Sequence, residues 1–167
     1  FTYRLQGGKN LIVNLKVDQP RNMVRVYNVI GKLKGSTFPD EWIILGCHYD
    51  AWGFGATDPN SGTAMLLSLS ETLGKMAENG FRPKRSILIG HWDAEEHGVI
   101  GSTEWVEQMQ IQLKSKAIAY MNFDGGVSGT NFGASSAPSL KRIVMNASRK
   151  INHPYENESL YDVWNKT

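Results

Sequence analysis

The 167-residue sequence is poor in cysteine, in net charge and in long apolar runs. Its single cysteine, Cys47, excludes an internal disulfide and a zinc site built mainly from thiolates, so any metal must be held by His, Asp and Glu. A formal net charge of +2 with scattered Lys and Arg gives no basic groove, which argues against a nucleic acid partner. No apolar run approaches the ~20 residues that cross a bilayer.

The remaining composition is that of an ordinary globular chain. Hydrophobic residues make up 41% and charged residues 20%, and the length suits one domain, residues 1–167, with a sizeable core. There is no internal repeat and no low-complexity linker. The chain starts at Phe1 without a signal-like segment, so we expect a piece of a larger protein.

The first half of the chain shows both strand and helix periodicities. Alternating apolar residues predict a half-buried strand over 11–17 and a second strand over 23–33. After a predicted turn at 36–41, the apolar run 41–48 is typical of a central strand buried on both faces. The segment 61–80 predicts a helix that Ser61 caps and Gly80 stops.

The second half repeats the pattern. It predicts strands over 85–92 and 116–124, and helices over 102–110 and 137–151. Ser102 lies at the start of the helix over 102–110 and resembles a cap. Strands that alternate with helices indicate an α/β sheet with crossover connections.

A histidine and several acids cluster where three predicted strands end. They are His48, Asp50, Asp58, Glu95, Glu96 and Asp124. In an open α/β sheet, this edge is where functional sites form. Grouped carboxylates would repel one another, and burial would raise their pKa values, unless a divalent cation neutralised them. Imidazole and carboxylate ligands suit zinc, with manganese or cobalt also open. Any one acid is more commonly a helix cap or a solvated loop residue, but the joint occurrence favours a metal site.

Three segments carry a family resemblance: "GCHYDAWGFGATDPNSGTAMLL", "WDAEEHGVIGSTEW" and "YMNFDGG". They resemble the co-catalytic zinc peptidases of the glutamate carboxypeptidase II and transferrin receptor group, which are related to bacterial zinc aminopeptidases. The resemblance implies a mixed, largely parallel central sheet flanked by helices. It also implies a zinc-dependent exopeptidase, either an aminopeptidase or a carboxypeptidase, acting on peptide substrates.

The resemblance assigns two zinc ions to four side chains. His48 and Asp124 match ligands of the first ion, Glu96 matches a ligand of the second, and Asp58 matches the aspartate that bridges both. The family's fifth ligand is a histidine far downstream, beyond Thr167. We therefore expect the second ion to bind weakly in this chain, and the chain alone to be impaired in catalysis. His91, His97 and His153 are not expected to substitute.

The resemblance also assigns the catalytic groups. Glu95 matches the general base that takes a proton from the water activated by two metals. Asp50 matches the acid that orients the ring of His48, because a carboxylate on the far nitrogen fixes the tautomer. A cis peptide bond is expected at Asp58–Pro59.

Two alternatives stay open on the same scaffold. One is a non-catalytic, receptor-like homologue, and the other is a zinc-dependent cyclase or deacylase. Trp52 and Phe54 either line a substrate cleft or pack over their own loop, and packing is the favoured interpretation. Trp92 and Trp105 are expected in the core, as is Cys47, with its side chain opposite to that of His48.

The cellular location is inferred from the resemblance and from three glycosylation sequons, and the oligomeric state is inferred from the resemblance. The relatives are largely extracellular or membrane-anchored with the catalytic part outside, and many dimerise, so the full-length protein is expected to do the same. The sequons at Asn146, Asn157 and Asn165 agree with an extracellular glycoprotein.

Overall fold

The computed structural model describes residues 7–127 and 129–166. Within these ranges the chain forms four strands and five helices, listed here in chain order: β1 (Val29–Leu33), β2 (Phe38–His48), α1 (Asn60–Glu78), β3 (Arg85–Trp92), α2 (Ile100–Gln108), α3 (Gln110–Lys116), β4 (Ala117–Asn122), α4 (Lys141–Ser148) and α5 (Leu160–Trp164). None of the helices in the described ranges is long and apolar enough to pass through a membrane.

The strands form one mixed sheet in the order β1-β3-β2-β4. β1 runs antiparallel to β3, while β2 is parallel to both β3 and β4. This confirms the expected α/β fold with a mixed, largely parallel sheet flanked by helices. In the parallel register His48 lies opposite Trp92 and Gly46 opposite Asn122, so β2, β3 and β4 end at the same edge.

Two apolar layers cover the two faces of the central strands. On one face Leu45, Cys47 and Ile89 pack with Leu66 of α1. On the other face, Trp42, Ile44 and Leu88 form a second cluster. Trp105 of α2, Leu113 of α3 and Met109, which lies between these helices, pack against it. Burial of one large apolar side chain contributes about 1.5–3 kcal/mol, and alternation along β2 supplies both layers.

The predicted N-terminal strands are where the sequence interpretation was wrong. Residues 11–17 form no strand, and Leu11, Val13 and Leu15 are 66%, 79% and 82% exposed. The second strand is confined to Val29–Leu33, not 23–33. Alternation specifies two faces of a strand but not a neighbour to pair with, and the described structure places no strand beside residues 11–17.

The helix starts and one strand start also differ from the prediction. Neither Ser61 nor Ser102 is an N-cap, because α1 follows Pro59 and α2 follows Val99, which is in the left-handed region at φ 58°. β2 begins at Phe38, inside the predicted turn, because Phe38 pairs with Arg85 before a register shift.

Other boundaries were predicted correctly or nearly so. Strand β3 has the predicted bounds, and α1 ends just before Gly80, whose φ is 86°. The helix predicted over 137–151 is shorter, Lys141–Ser148. The short helices α3 and α5 were not predicted.

Gly62 sets how closely α1 approaches the end of β4. A Cβ at this buried position would lie 1.5 Å from the carbonyl oxygen of Phe123. Only a residue without a side chain fits there, and this close packing brings the loop before α1 next to the residues that follow β4.

We expect Gly62→Ala to destabilise the protein by about 1–3 kcal/mol or more, because the added methyl overlaps rigid backbone. Urea denaturation would measure the change in the free energy of unfolding. Gly74→Ala is the matched control in the same helix. A Cβ there meets nothing within 4 Å, so the control should be neutral or stabilising by up to ~1 kcal/mol. Equal effects of the two variants would contradict the packing argument.

Candidate metal centre

The strand ends bring the predicted site residues together. His48 is the last residue of β2, while Glu95 and Glu96 lie in the turn after β3. Asp124 follows β4, and Asp58 lies in the loop that leads from β2 into α1. The Asp58–Pro59 peptide bond is cis, as predicted.

His48 is at the centre of this group, with its side chain only 2% exposed. Its Nε2 lies 2.8 Å from Oδ1 of Asp58 and 3.9 Å from Oε2 of Glu95. Its main-chain N–H donates to Oδ1 of Asp124 at 3.3 Å. One buried imidazole therefore has carboxylates from three separate loops around it.

The other ring nitrogen of His48 determines the tautomer. Nδ1 lies 2.8 Å from the main-chain carbonyl oxygen of Asp50, which can only accept, so Nδ1 carries the proton. In a neutral ring the lone pair is then on Nε2, directed at Asp58. Burial alone would lower the pKa of His48, but the hydrogen bonds to Asp58 and Asp50 outweigh burial and raise it. A cation is needed between the Nε2 lone pair and the Asp58 oxygen, and a proton or a metal ion satisfies that need.

The donor set fits zinc. His48, Glu95 and Glu96 each offer a ligand atom, and these atoms all lie within 4.8 Å of one another. A neutral imidazole nitrogen with carboxylate oxygens is a ligand set that zinc accepts. The trio includes Glu95, which was not in the predicted ligand set. It does not include the predicted ligands Asp58 and Asp124, although each of them contacts His48.

Glu95 is in an environment that favours its neutral form. Burial raises the pKa of its carboxyl group. The charge of His48 opposes that shift, but the neighbouring carboxylates of Asp124, Glu96 and Asp50 reinforce it. A carboxyl group with a raised pKa suits proton transfer near neutral pH.

Asp50 contacts the site differently from the prediction. Its carboxylate oxygen is 3.5 Å from Nδ1 of His48, while its main-chain oxygen is the nearer acceptor. The carboxylate instead accepts the main-chain N–H groups of Glu95 at 2.9 Å and Glu96 at 3.2 Å. Asp50 therefore holds the ring of His48 with its backbone and the Glu95–Glu96 turn with its side chain.

The other histidines are not part of the trio and make different contacts. His91 is within β3, and its buried Nδ1 has no hydrogen-bond partner among the described residues. His97 contacts the ring of Trp52 edge-on at 5.3 Å. Nδ1 of His153 accepts from the main chain of Tyr155 and Glu156.

The aromatic residues are partly as predicted. Trp92 is 3% exposed and its ring packs against that of Trp105 at 5.1 Å. The prediction that Trp52 and Phe54 pack over their own loop is wrong for Phe54, which is 97% exposed. Trp52 is also largely exposed, at 68%. The glycines on either side, Gly53 and Gly55, have φ of 65° and 57°, and the loop turns these rings outward.

Two polar residues near the site were not identified from the sequence. Tyr120 and Asn122 are connected to Asp124 by hydrogen bonds. Tyr120, Asn122 and Asp124 follow one another at a spacing of two residues. Once β4 had been recognised as a strand, its alternation would have placed Tyr120 and Asn122 on one face.

Cys47 is fully buried in the core layer beside α1, and burial raises the pKa of its thiol to about 11. We expect the native protein to resist alkylation by iodoacetamide at pH 8, because the thiol is both inaccessible and protonated. Mass spectrometry after a timed reaction would show modification only once denaturant is added. Rapid modification of the native protein would show that this layer opens readily.

Comparisons with known proteins identify the family of the chain. The model of peptidase family M28 matches residues 28–167. A probable glutamate carboxypeptidase of Arabidopsis thaliana is 43% identical over 154 residues, which are 92% of this chain and 23% of that protein. A glutamate carboxypeptidase 2 homolog of Caenorhabditis elegans is 38% identical, with 99% of this chain and 23% of that protein covered. The chain thus spans about a quarter of the length of these relatives.

Solved structures show the same fold. A peptidase M28 precursor from Shewanella amazonensis has a TM-score of 0.61 and 29% identity, covering 77% of this chain and 28% of that one. A zinc aminopeptidase from Bacillus subtilis also has a TM-score of 0.61, at 23% identity, covering 79% of this chain and 33% of that one.

Proposed function

Since the chain belongs to peptidase family M28, we propose that it forms the metal-binding core of a zinc-dependent exopeptidase with Glu95 as general base. The observation that carries the proposal is His48, whose protonated Nδ1 leaves Nε2 directed at carboxylates. The relatives are named glutamate carboxypeptidases, and this favours release of a C-terminal glutamate over attack from the amino end.

Four side chains are proposed to hold two ions. His48 and Asp124 would hold the first, Glu96 would hold the second, and Asp58 would contribute to both. When bound, zinc supplies Lewis acidity, which polarises the scissile carbonyl and acidifies a water molecule. The protein's own contribution is to fix these ligands on three loops that share one sheet edge, with His48 held by Asp50.

Glu95 is proposed to move the proton. Its side chain is 29% exposed, and its Oε2 lies 3.9 Å from Nε2 of His48, so it is next to the site and accessible from solvent. It takes a proton from the attacking water and passes it to the leaving amine. Its position depends on Asp50, whose carboxylate binds the main chain of the same turn.

The decisive experiment is Glu95→Gln in the full-length natural protein. The variant should keep its zinc, measured by elemental analysis, and lose about 10²–10⁴-fold in kcat on a peptide library, because the amide cannot accept the proton. Glu78→Gln, the same change at the exposed end of α1, is the control and should retain full activity.

The outcomes separate the alternatives. Undiminished turnover by Glu95→Gln would remove Glu95 as the base. A wild-type protein that binds no zinc and cleaves no peptide would favour the receptor-like alternative. Mass spectrometry of the products would reveal a cyclase or deacylase, since neither shortens a peptide by one residue.

We expect zinc to stabilise the metal-free protein against heat, because an ion that binds only the folded state raises the melting temperature. His48→Ala should abolish most of this increase in Tm. His153→Ala changes a histidine of the α4–α5 loop and should leave it intact. Native mass spectrometry would count the ions, and a wild type that binds zinc with an unaltered Tm would contradict the proposal.

A further inference from the structure

We propose that Trp92, Tyr120 and Asn122 form a hydrogen-bond relay that positions the carboxylate of Asp124 for a metal ion. The inference rests on the proposed function, because it takes Asp124 as a zinc ligand. It assigns to these three residues a positioning role that acts through Asp124.

The relay is continuous across the sheet. The indole Nε1–H of Trp92 donates to the hydroxyl of Tyr120 at 3.0 Å. That hydroxyl donates to Oδ1 of Asn122 at 2.6 Å, and Nδ2 of Asn122 donates to Oδ2 of Asp124 at 2.6 Å. The other oxygen of Asp124, Oδ1, accepts the main-chain N–H of His48 at 3.3 Å. Both oxygens of the carboxylate are therefore held.

The direction of the relay is fixed at both ends. An indole N–H can only donate, and an ionised carboxylate can only accept. Asn122 must therefore turn its NH₂ group to Asp124, because the flipped amide would place its oxygen against the carboxylate. Its Oδ1 then faces the tyrosine, whose single hydroxyl proton goes to it. Only one arrangement satisfies every group, so the network is well suited to orienting Asp124.

Gly46 allows the relay to cross β2. Trp92 ends β3 and Tyr120 lies in β4, and β2 lies between those two strands. A Cβ on Gly46 would lie 2.3 Å from the hydroxyl of Tyr120 and 2.5 Å from Nε1 of Trp92. Because position 46 has no side chain, the two rings meet directly over the central strand.

The relay affects metal binding through the geometry of one ligand. Residues that hydrogen-bond to a metal ligand orient it, and removal of such a residue typically lowers metal affinity or activity by 10–100-fold. Alternation along β4 puts Tyr120 and Asn122 on one face, and the hydrogen bond from Asn122 to Asp124 transmits a rotation of Asn122 to the carboxylate.

The test measures the zinc affinity of the full-length natural protein by competition with a chromophoric chelator. Tyr120→Phe should weaken binding about tenfold, and Asn122→Leu about 10–100-fold. The double variant should match Asn122→Leu to within about twofold, because both changes break one chain and their effects are not additive. Melting temperatures of the metal-free variants would report any loss of stability that is separate from affinity.

Tyr49→Phe is the matched control. It removes the same hydroxyl from the residue next to His48, but this hydroxyl donates at 2.6 Å to the main chain of Tyr27 rather than toward Asp124. Its zinc affinity should equal that of the wild type.

Four results would overturn the inference. Unchanged zinc affinity in Asn122→Leu decides against the relay even if Tyr120→Phe fails to fold. Additive losses in the double variant would show that the two residues act independently. A wild-type protein without zinc affinity would remove the proposed function as well, whereas a zinc-binding wild type matched by Tyr120→Phe would remove only the relay.

Discussion

The site depends on one buried imidazole that has acceptors at both ring nitrogens. In His48 the main-chain carbonyl of Asp50 fixes the proton on Nδ1, and the carboxylate of Asp58 faces Nε2. A neutral ring can donate only once, so this environment favours a positive charge at Nε2. The acids around it, which would repel one another in isolation, are attracted to such a charge once it is present.

The sheet turns this requirement into a geometry. Three parallel strands end at one edge, and each delivers a loop whose side chains converge on His48. Glycine makes the convergence close: Gly62 admits the carbonyl of Phe123, and Gly46 lets two rings meet over β2. The same edge carries rings turned outward, since Trp52 and Phe54 are exposed in the loop between His48 and Asp58. The packed core layers therefore lie beneath this edge, and exposed aromatic side chains lie at it.

Much of this could be predicted from the sequence, for identifiable reasons. Strand β3 was predicted with its correct bounds because continuous apolar residues mark burial on both faces. His48, Glu95 and Asp124 were expected to meet because strand ends share an edge. Residues 11–17 were predicted wrongly because alternation does not specify a pairing partner. The dual role of Asp50 could not be predicted, since no residue pattern reveals which main-chain carbonyl faces a ring. Tyr120 and Asn122 were missed because their contacts with Trp92 and Asp124 appear only once the sheet is assembled.

The long sequence separation within the site has a consequence for how the protein acquires its structure. His48 and Asp124 are 76 positions apart, and Asp50 and Glu95 are 45 apart. Their contacts exist only after β3 and β4 have docked on either side of β2, and contacts of such separation form late because loop closure is costly. A nascent chain therefore has no binding site to offer, and an ion bound at this edge marks a chain that has finished folding rather than one that is beginning to fold.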